Sequence, residues 1–441
     1  MTVSIAGTTP PSPAAAMATT GQRPMIRSIL IACSGNAVEW FDFFAYAFTA
    51  LYFAPAFFPS GDTTSQLLNT AGIFAAGFFM RPVGGWLFGR LADKRGRRAS
   101  MIVSILLMCF GSLMIAVLPT YSQIGVWASV LLLVARLLQG LSVGGEYGTS
   151  ATYLSEIATP SRRGFYGSFH YATIIAGQLI AVMVVGILQA LLSVEELKAW
   201  GWRIPFVIGA LAAVVSLAVR RSMHETSDKK DREHPMSGTV RGLFHYTREF
   251  FMVVGFTAGG SLLFYTYTSY MQKYMVNTAH LDAKVASAVM TGALFIFMCA
   301  QPLFGLLSDR IGRRRQMIAF SAFFIVGTVP LMQAIGTTHE PWVAFALVLL
   351  SLLGMSLYTS ISGLLKAELF PGHVRGLGVG LPYAVGNALF GGTAEYVALW
   401  LKQQHIESTY FWYVAGMSVI ILVCSLMLAS HRKPTQLDWR A

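Results

Sequence analysis

The chain has 441 residues, 55% hydrophobic and 12% charged, with a mean hydropathy of +0.58. Soluble proteins carry roughly 25% charged residues, so a water-soluble globular domain is excluded. Lys and Arg exceed Asp and Glu by 12, but they fall in short bursts between apolar runs with no aromatic-interleaved basic groove, which argues against a nucleic-acid partner.

Residues 1–26, rich in Thr, Pro, Ala and Ser, lack the basic start and compact apolar core of a cleaved signal and are expected to form a disordered cytoplasmic tail. A membrane-spanning helix needs about 20 apolar residues, and six such runs follow at roughly 27–54, 66–90, 99–119, 125–156, 164–192 and 203–221. On the first, Asn36, Glu39, Asp42 and Tyr46 step by three, three and four residues, which sets them on one helical face. Asp42 lies about 20 Å from the inner end at the helical rise of 1.5 Å per residue. Intramembrane carboxylates are costly and usually functional. Glu39 and Asp42, and Glu146 on the fourth run, are therefore either proton carriers or static partners of neighbouring helices.

The second run holds Arg81, roughly 14 Å deep, and the fourth holds Arg136 at similar depth. Arginine forms bidentate bonds to carboxylate, so both are candidate ligands of an acidic substrate. The rival reading pairs them with Glu39, Asp42 or Glu146. Tyr46 and Gln139 are further hydrogen-bonding candidates beside them. Gly140, Gly144 and Gly148 recur every four residues on the fourth run, a spacing that permits close helix contact.

A polar break at 222–246 separates the first six runs from six more, at roughly 247–273, 284–308, 316–336, 342–369, 376–401 and 409–430, with a tail at 431–441. Tyr265, Tyr267 and Tyr270 on the seventh run and Tyr358 on the tenth offer hydroxyls to a substrate. Lys366 lies a few residues from the inner end of the tenth run, where snorkelling to the interface is the expectation. Glu395 on the eleventh is either paired or a proton carrier. The four cysteines, Cys33, Cys109, Cys299 and Cys424, are far apart in apolar stretches and read as buried thiols without disulfide or metal-ligand spacing.

With the first end inside, the inner turns and tails hold 24 Lys and Arg and the outer turns five, which predicts that both termini are cytoplasmic. The break also divides a repeat. Phe88-Gly89-Arg90-Leu91-Ala92-Asp93-Lys94-Arg95-Gly96-Arg97-Arg98 returns as Phe304-Gly305-Leu306-Leu307-Ser308-Asp309-Arg310-Ile311-Gly312-Arg313-Arg314, and Glu156, Arg163 and Gly164 return as Glu368, Arg375 and Gly376. The two offsets, 216 and 212 residues, imply a duplicated six-helix unit: residues 27–221 and 247–430 form two pseudo-symmetric bundles of an all-α membrane protein with twelve transmembrane helices. Transporters are commonly built this way, with the substrate site at the repeat interface.

The repeated turn resembles the signature loop of the major facilitator superfamily. Ser34-Gly35-Asn36-Ala37-Val38-Glu39-Trp40-Phe41-Asp42-Phe43-Phe44, Arg81-Pro82-Val83-Gly84-Gly85 and Gly201-Trp202-Arg203-Ile204-Pro205-Phe206 resemble its metabolite:proton symporter family. Within it, the stretches 58–98, 135–156, 264–279 and 358–371 are most similar to carriers of α-ketoglutarate. The resemblance spans residues 28 to 430. It implies an inner-membrane carrier that couples dicarboxylate uptake to protons by alternating access, with citrate, shikimate or a betaine as the alternative substrate. It also implies a cytoplasmic gate. Asp93, with Arg97, would face the start of the eleventh helix near Arg375, and Asp309, with Arg313, the start of the fifth near Arg163. An acid, a basic partner and a positive helix end are physically suited to a two-state contact. His170 stands where the family more often has Gln, so it reads as a hydrogen-bonding side chain or as a proton relay.

An ATP-driven pump or membrane enzyme is disfavoured: there is no G-x-x-x-x-G-K-[ST] loop, the largest break is about 25 residues, and no His/Glu cluster suits a metalloenzyme. No cofactor or metal is expected. The partners are a small carboxylate, protons and membrane lipid, and the carrier is expected to work as a monomer.

Overall fold

The computed structural model describes residues 13–59, 63–221, 225–227 and 229–428. Twelve helical spans run in chain order. The first half contains α1 (Pro13–Phe57), α2 (Thr63–Phe79 continued by Arg81–Arg95), α3 (Arg97–Val117), α4 (Val126–Ile157), α5 (Arg163–Leu191) and α6 (Ile204–Arg220). The second contains α7 (Thr247–Asn277), α8 (Ala283–Ile311), α9 (Arg313–Thr337), α10 (Pro341–Ala367), α11 (Arg375–Gly386 continued to Gln403) and α12 (Glu407–Leu426). Helices are the natural solution because lipid offers no partner for backbone polar groups, so each span must satisfy its own.

Nine of the twelve are by themselves long and apolar enough to span a bilayer among the described residues. The other three are α1, α2 and α11. In α2 the helix breaks at Met80, and its second segment begins Arg81-Pro82; proline lacks the amide hydrogen that an uninterrupted ladder requires. In α11 the turn Asn387–Gly391 is a π-helix, matched by another at Thr266–Tyr270 in α7. Such bulges mark functional segments of helices.

Residues 13–26, expected as a disordered tail, are the opening turns of α1; residues 1–12, and the tail expected at 431–441, lie outside the described residues. The central break contains two short helices, Lys229–Glu233 and Val240–Phe244, while residues 222–224 and 228 of that segment lie outside the described residues. Cys33 and Cys424 are buried, as expected, but Cys299 is exposed on the apolar flank of α8. Apolar periodicity does not distinguish a lipid-facing side from a protein-facing one.

The two halves meet through α5 against α8 and through α2 and α4 against α11. These contacts are close because small residues line them. A Cβ at Gly164 would collide with the Gly305 carbonyl, and a Cβ at Gly305 with the Gly164 carbonyl. The repeated turns also need glycine for its backbone: Gly96 and Gly312, between α2 and α3 and between α8 and α9, have φ of 102° and 91°, values that a Cβ disfavours.

Candidate functional site

At the end of the bundle holding the arginine-rich turns, the two halves are locked together. The Asp93 carboxylate accepts from the backbone N–H groups of Gly376 (2.8 Å) and Leu377 (2.9 Å) at the start of α11, and from Arg97 (2.6 Å). The Asp309 carboxylate accepts from Gly164 (2.8 Å) and Phe165 (3.0 Å) at the start of α5, and from Arg313 (3.0 Å). Each acid therefore caps the first turn of a helix from the opposite half, where unsatisfied amides and the helix dipole favour negative charge. Arg163 and Arg375 open those two helices.

Glu156, which sequence reasoning used only to define the repeat, accepts from both Arg97 (3.3 Å) and Arg375 (2.8 Å), one from each half. Its counterpart Glu368 lies 3.5 Å from Arg313. The central segment reinforces the first lock: Glu225 accepts from the amides of Arg97 (2.9 Å) and Arg98 (3.2 Å), and Ser237 donates to the Asp93 carbonyl (3.0 Å).

Deeper in the first half, four predicted residues form a polar layer. Ser142 donates to Glu39 (3.1 Å). Arg136 donates to the Gln139 amide oxygen (2.7 Å), and Gln139 donates to Ser112 (2.9 Å). Asp42 is fully buried, its oxygens accept no well-formed hydrogen bond, and its charge acts on Arg136. It packs against Gly209 of α6, inside the first half rather than at the seam between halves. Tyr46 lies under the Arg136 guanidinium (4.2 Å to the ring centroid) and donates to the Thr70 carbonyl (3.1 Å). It is not among the residues lining the central cavity.

Glu146 is committed to a buried ion pair with Arg220, supported by Ser104 (2.9 Å). Arg220, one residue from the end of the sixth run as read from sequence, is fully buried. No periodicity signals that pairing; the only cue is a basic residue preceding the polar break.

Between the halves lies a narrow, partly open cavity with room for about one water, lined by Trp40, Tyr171, Tyr265, Tyr383 and Asn387 among others. Arg81 borders it: it donates to the Tyr265 hydroxyl (3.4 Å) and lies against the rings of Phe78 (3.9 Å), Phe43 (4.6 Å) and Trp40 (5.5 Å). Its Nε and Nη2 have no hydrogen-bond partner among the described residues. Rings facing a desolvated guanidinium supply cation–π attraction without neutralising the charge.

Two expectations fail here. His170, read as a hydrogen-bonding side chain or a relay, has neither ring nitrogen bonded among the described residues; it meets the Tyr147 ring edge-on at 4.7 Å and abuts Gly363. Lys366 does not snorkel. It is fully buried and donates to Tyr147 of the other half (2.9 Å) and to Ser362 (2.9 Å). Distance along a helix locates a residue in depth but not in azimuth, and α10 breaks after Thr359 and resumes at Ser362, turning Lys366 towards the seam. Tyr358 is buried near it, 5.7 Å from the ammonium to the ring centroid. Tyr267 and Tyr270 are also buried, on the π-turn of α7. Glu395 pairs with Lys273 at the surface, away from the arginine-rich turns.

The Major Facilitator Superfamily model matches residues 32–394. The chain is 59% identical to the alpha-ketoglutarate permease of Escherichia coli over 411 residues, covering 93% of this chain and 95% of that one. It is 34% identical to a citrate-proton symporter of Klebsiella pneumoniae, covering 86% of each chain. In fold it is similar to a proton:xylose symporter bound to 6-bromo-6-deoxy-D-glucose, with a TM-score of 0.79 over 94% of this chain and 98% of that one at 16% identity.

Proposed function

The chain belongs to the major facilitator superfamily, and from that premise we propose that it is a proton-coupled symporter importing α-ketoglutarate across a bacterial inner membrane by alternating access. The observation that carries the reading is the 59% identity, over nearly the full length of both chains, to a protein named alpha-ketoglutarate permease. The site chemistry supports it: a buried arginine borders a tyrosine-lined cavity at the seam of the halves, where a carboxylate would find a charge and hydroxyl donors. The basic end is then cytoplasmic, as the distribution of Lys and Arg argues, and both termini lie there.

Alternating access supplies the mechanism. With the Asp93 and Asp309 caps formed, the cytoplasmic side is shut. Breaking them frees α11 from α2 and α5 from α8, and the site opens inward. Asp42, buried beside Arg136, is the proton carrier in this reading. A neutral carboxylic acid and a carboxylate facing one arginine are two states of a switch: protonation releases Arg136, and deprotonation recaptures it.

α-Ketoglutarate is a dianion near neutral pH, and an inside-negative potential opposes it by about 2.3 kcal/mol per charge per 100 mV. At least two protons per substrate make the cycle electroneutral or potential-assisted. The test is uptake of labelled α-ketoglutarate into proteoliposomes under an inward proton gradient. Accumulation that an uncoupler collapses is expected, with competition by unlabelled citrate, shikimate and betaines ranking the substrates. Uptake that itself builds an inside-negative potential would contradict the stoichiometry, and no uptake by folded protein would reject the substrate.

A further inference from the structure

The two halves each bring one buried cation to the seam, and neither has an acid. Arg81 on α2 and Lys366 on α10 form no ion pair among the described residues; their polar contacts are the neutral hydroxyls of Tyr265, Tyr147 and Ser362. Both are fully buried. Arg136 differs, because Asp42 already opposes its charge. A desolvated charge without a counter-charge is costly in a membrane protein and marks a ligand or ion path.

The same wall connects the two cations. Tyr265, the hydrogen-bond partner of Arg81, and Tyr383, whose ring centroid lies 4.7 Å from the Lys366 ammonium, both line the central cavity. Arg81 keeps an open edge of its guanidinium, with Nε and Nη2 unbonded. Lys366 has three donors and uses two on hydroxyls.

We propose that Arg81 and Lys366 divide one dicarboxylate between the two halves, Arg81 taking one carboxylate through its planar fork and Lys366 the other. The assignment rests on the α-ketoglutarate reading for its preferred ligand and deepens it, replacing Arg136 by Lys366 as the second carboxylate partner. A dicarboxylate neutralises both halves at once and so draws them together. A monocarboxylate leaves one cation buried and unmatched, so it opposes the occluded state. Selectivity for two acid groups is thereby tied to closure rather than to the shape of a preformed pocket.

The experiment compares equilibrium binding of matched acids to the purified full-length protein in nanodiscs: α-ketoglutarate against 2-oxopentanoate, glutarate against pentanoate, and succinate against butyrate. Losing one partner of a buried charge pair costs affinity severely, so the wild type is expected to prefer the dicarboxylate by about a hundredfold. Lys366→Gln and Arg81→Gln are each expected to reduce that ratio to within about fivefold, and Lys366→Arg to restore it in part. The melting temperature of the ligand-free Lys366→Gln protein, expected at or above the wild type, checks that it folds. A ratio left intact in Lys366→Gln overturns the proposal, as does a wild type in which no dicarboxylate outbinds its monocarboxylate partner. If the 2-oxo acids do not bind but glutarate or succinate does, the α-ketoglutarate reading fails, and the same variants decide the two-cation proposal on those acids.

Discussion

The ring of Tyr147 on α4 lies flat against the ring of Tyr383 on α11, with centroids 3.3 Å apart and planes inclined by 5°. The two rings meet across a surface that alternating access must part. Tyr383 is eight residues, about 12 Å of helix, beyond Arg375 at the gate. The pair therefore forms a second seal between the gate and the cavity. Tyr147→Ala removes it. An aromatic pair is worth about 0.5–1.5 kcal/mol, so the population open at the basic end is expected to rise about two- to tenfold. Labelling by an impermeant thiol reagent of a cysteine placed at buried Ser168, in a cysteine-free background, reads the change.

The helix caps predict a separation of transport from binding. Asp93→Asn and Asp309→Asn each replace charge-assisted bonds to two backbone amides of the opposite half, and bonds to charged groups contribute about 1.5–3 kcal/mol each. Uptake is expected to fall at least about tenfold in either variant while equilibrium substrate binding holds within about threefold. Loss of binding in parallel with uptake would make the acids part of the site rather than of its gate.

Asp42→Asn mimics the protonated carrier permanently. Substrate counterflow, which needs no net proton movement, is expected to continue, whereas accumulation driven by a proton gradient is expected to vanish. Accumulation that survives in Asp42→Asn removes this residue from the coupling path.

The buried Glu146–Arg220 pair is expected to be structural. Arg220→Met alone leaves an uncompensated buried carboxylate and should destabilise the protein by about 3–5 kcal/mol. Adding Glu146→Gln should recover most of that loss, because replacing both members of a buried pair is often near neutral. Melting of the four proteins in the double-mutant cycle measures the coupling. A Glu146→Gln variant that is stable but uncoupled would instead make Glu146 a proton carrier.

The gate carries a pH dependence through His373, in the turn between α10 and α11. Its half-burial, followed by the neighbouring His234 stacked at 4.2 Å, holds its pKa below the ordinary 6.5, with Asp231 opposing. A base whose charged form is disfavoured in the packed state stabilises that state fully above 6.5, and the contribution is lost as pH falls below it. Protection of the amides of residues 231–240 against hydrogen exchange, relative to the intrinsic rate at each pH, is expected to drop on acidification below that point; the Gly238 amide there donates to the His373 carbonyl (3.2 Å). His373→Asn should flatten the profile.

The caps of Asp93 and Asp309 were legible because the turn that carries them is repeated, with Gly-Arg-Arg three residues on in both copies, and because the resemblance of that turn to the family's signature loop implied the start of a helix from the other half as partner. The seam was not. Lys366 is one lysine near a helix end, and linear depth says nothing about which way a broken α10 turns it. Arg220 is the basic residue next to the end of the sixth run, where it reads as facing the polar break, and its acid, Glu146, is 74 residues away. Tyr147 and Tyr383 are unremarkable tyrosines until two halves meet. Each of these contacts joins helices whose relative rotation no single helix encodes.

The contact of Gly164 with Gly305 has a consequence for substitution. Each backbone fills the space that the other's side chain would need, so the shut position is set by two peptide units touching and has no cushion. Alanine at either site is a doorstop: at Gly305 one methyl group meets the Gly164 carbonyl, and at Gly164 it meets the Gly305 carbonyl and the Asp309 carboxylate as well. In a saturation survey these two glycines are expected to look as intolerant as a catalytic centre would in an enzyme, although neither has a side chain and only the Gly164 amide, which donates to Asp309, bonds to the lock.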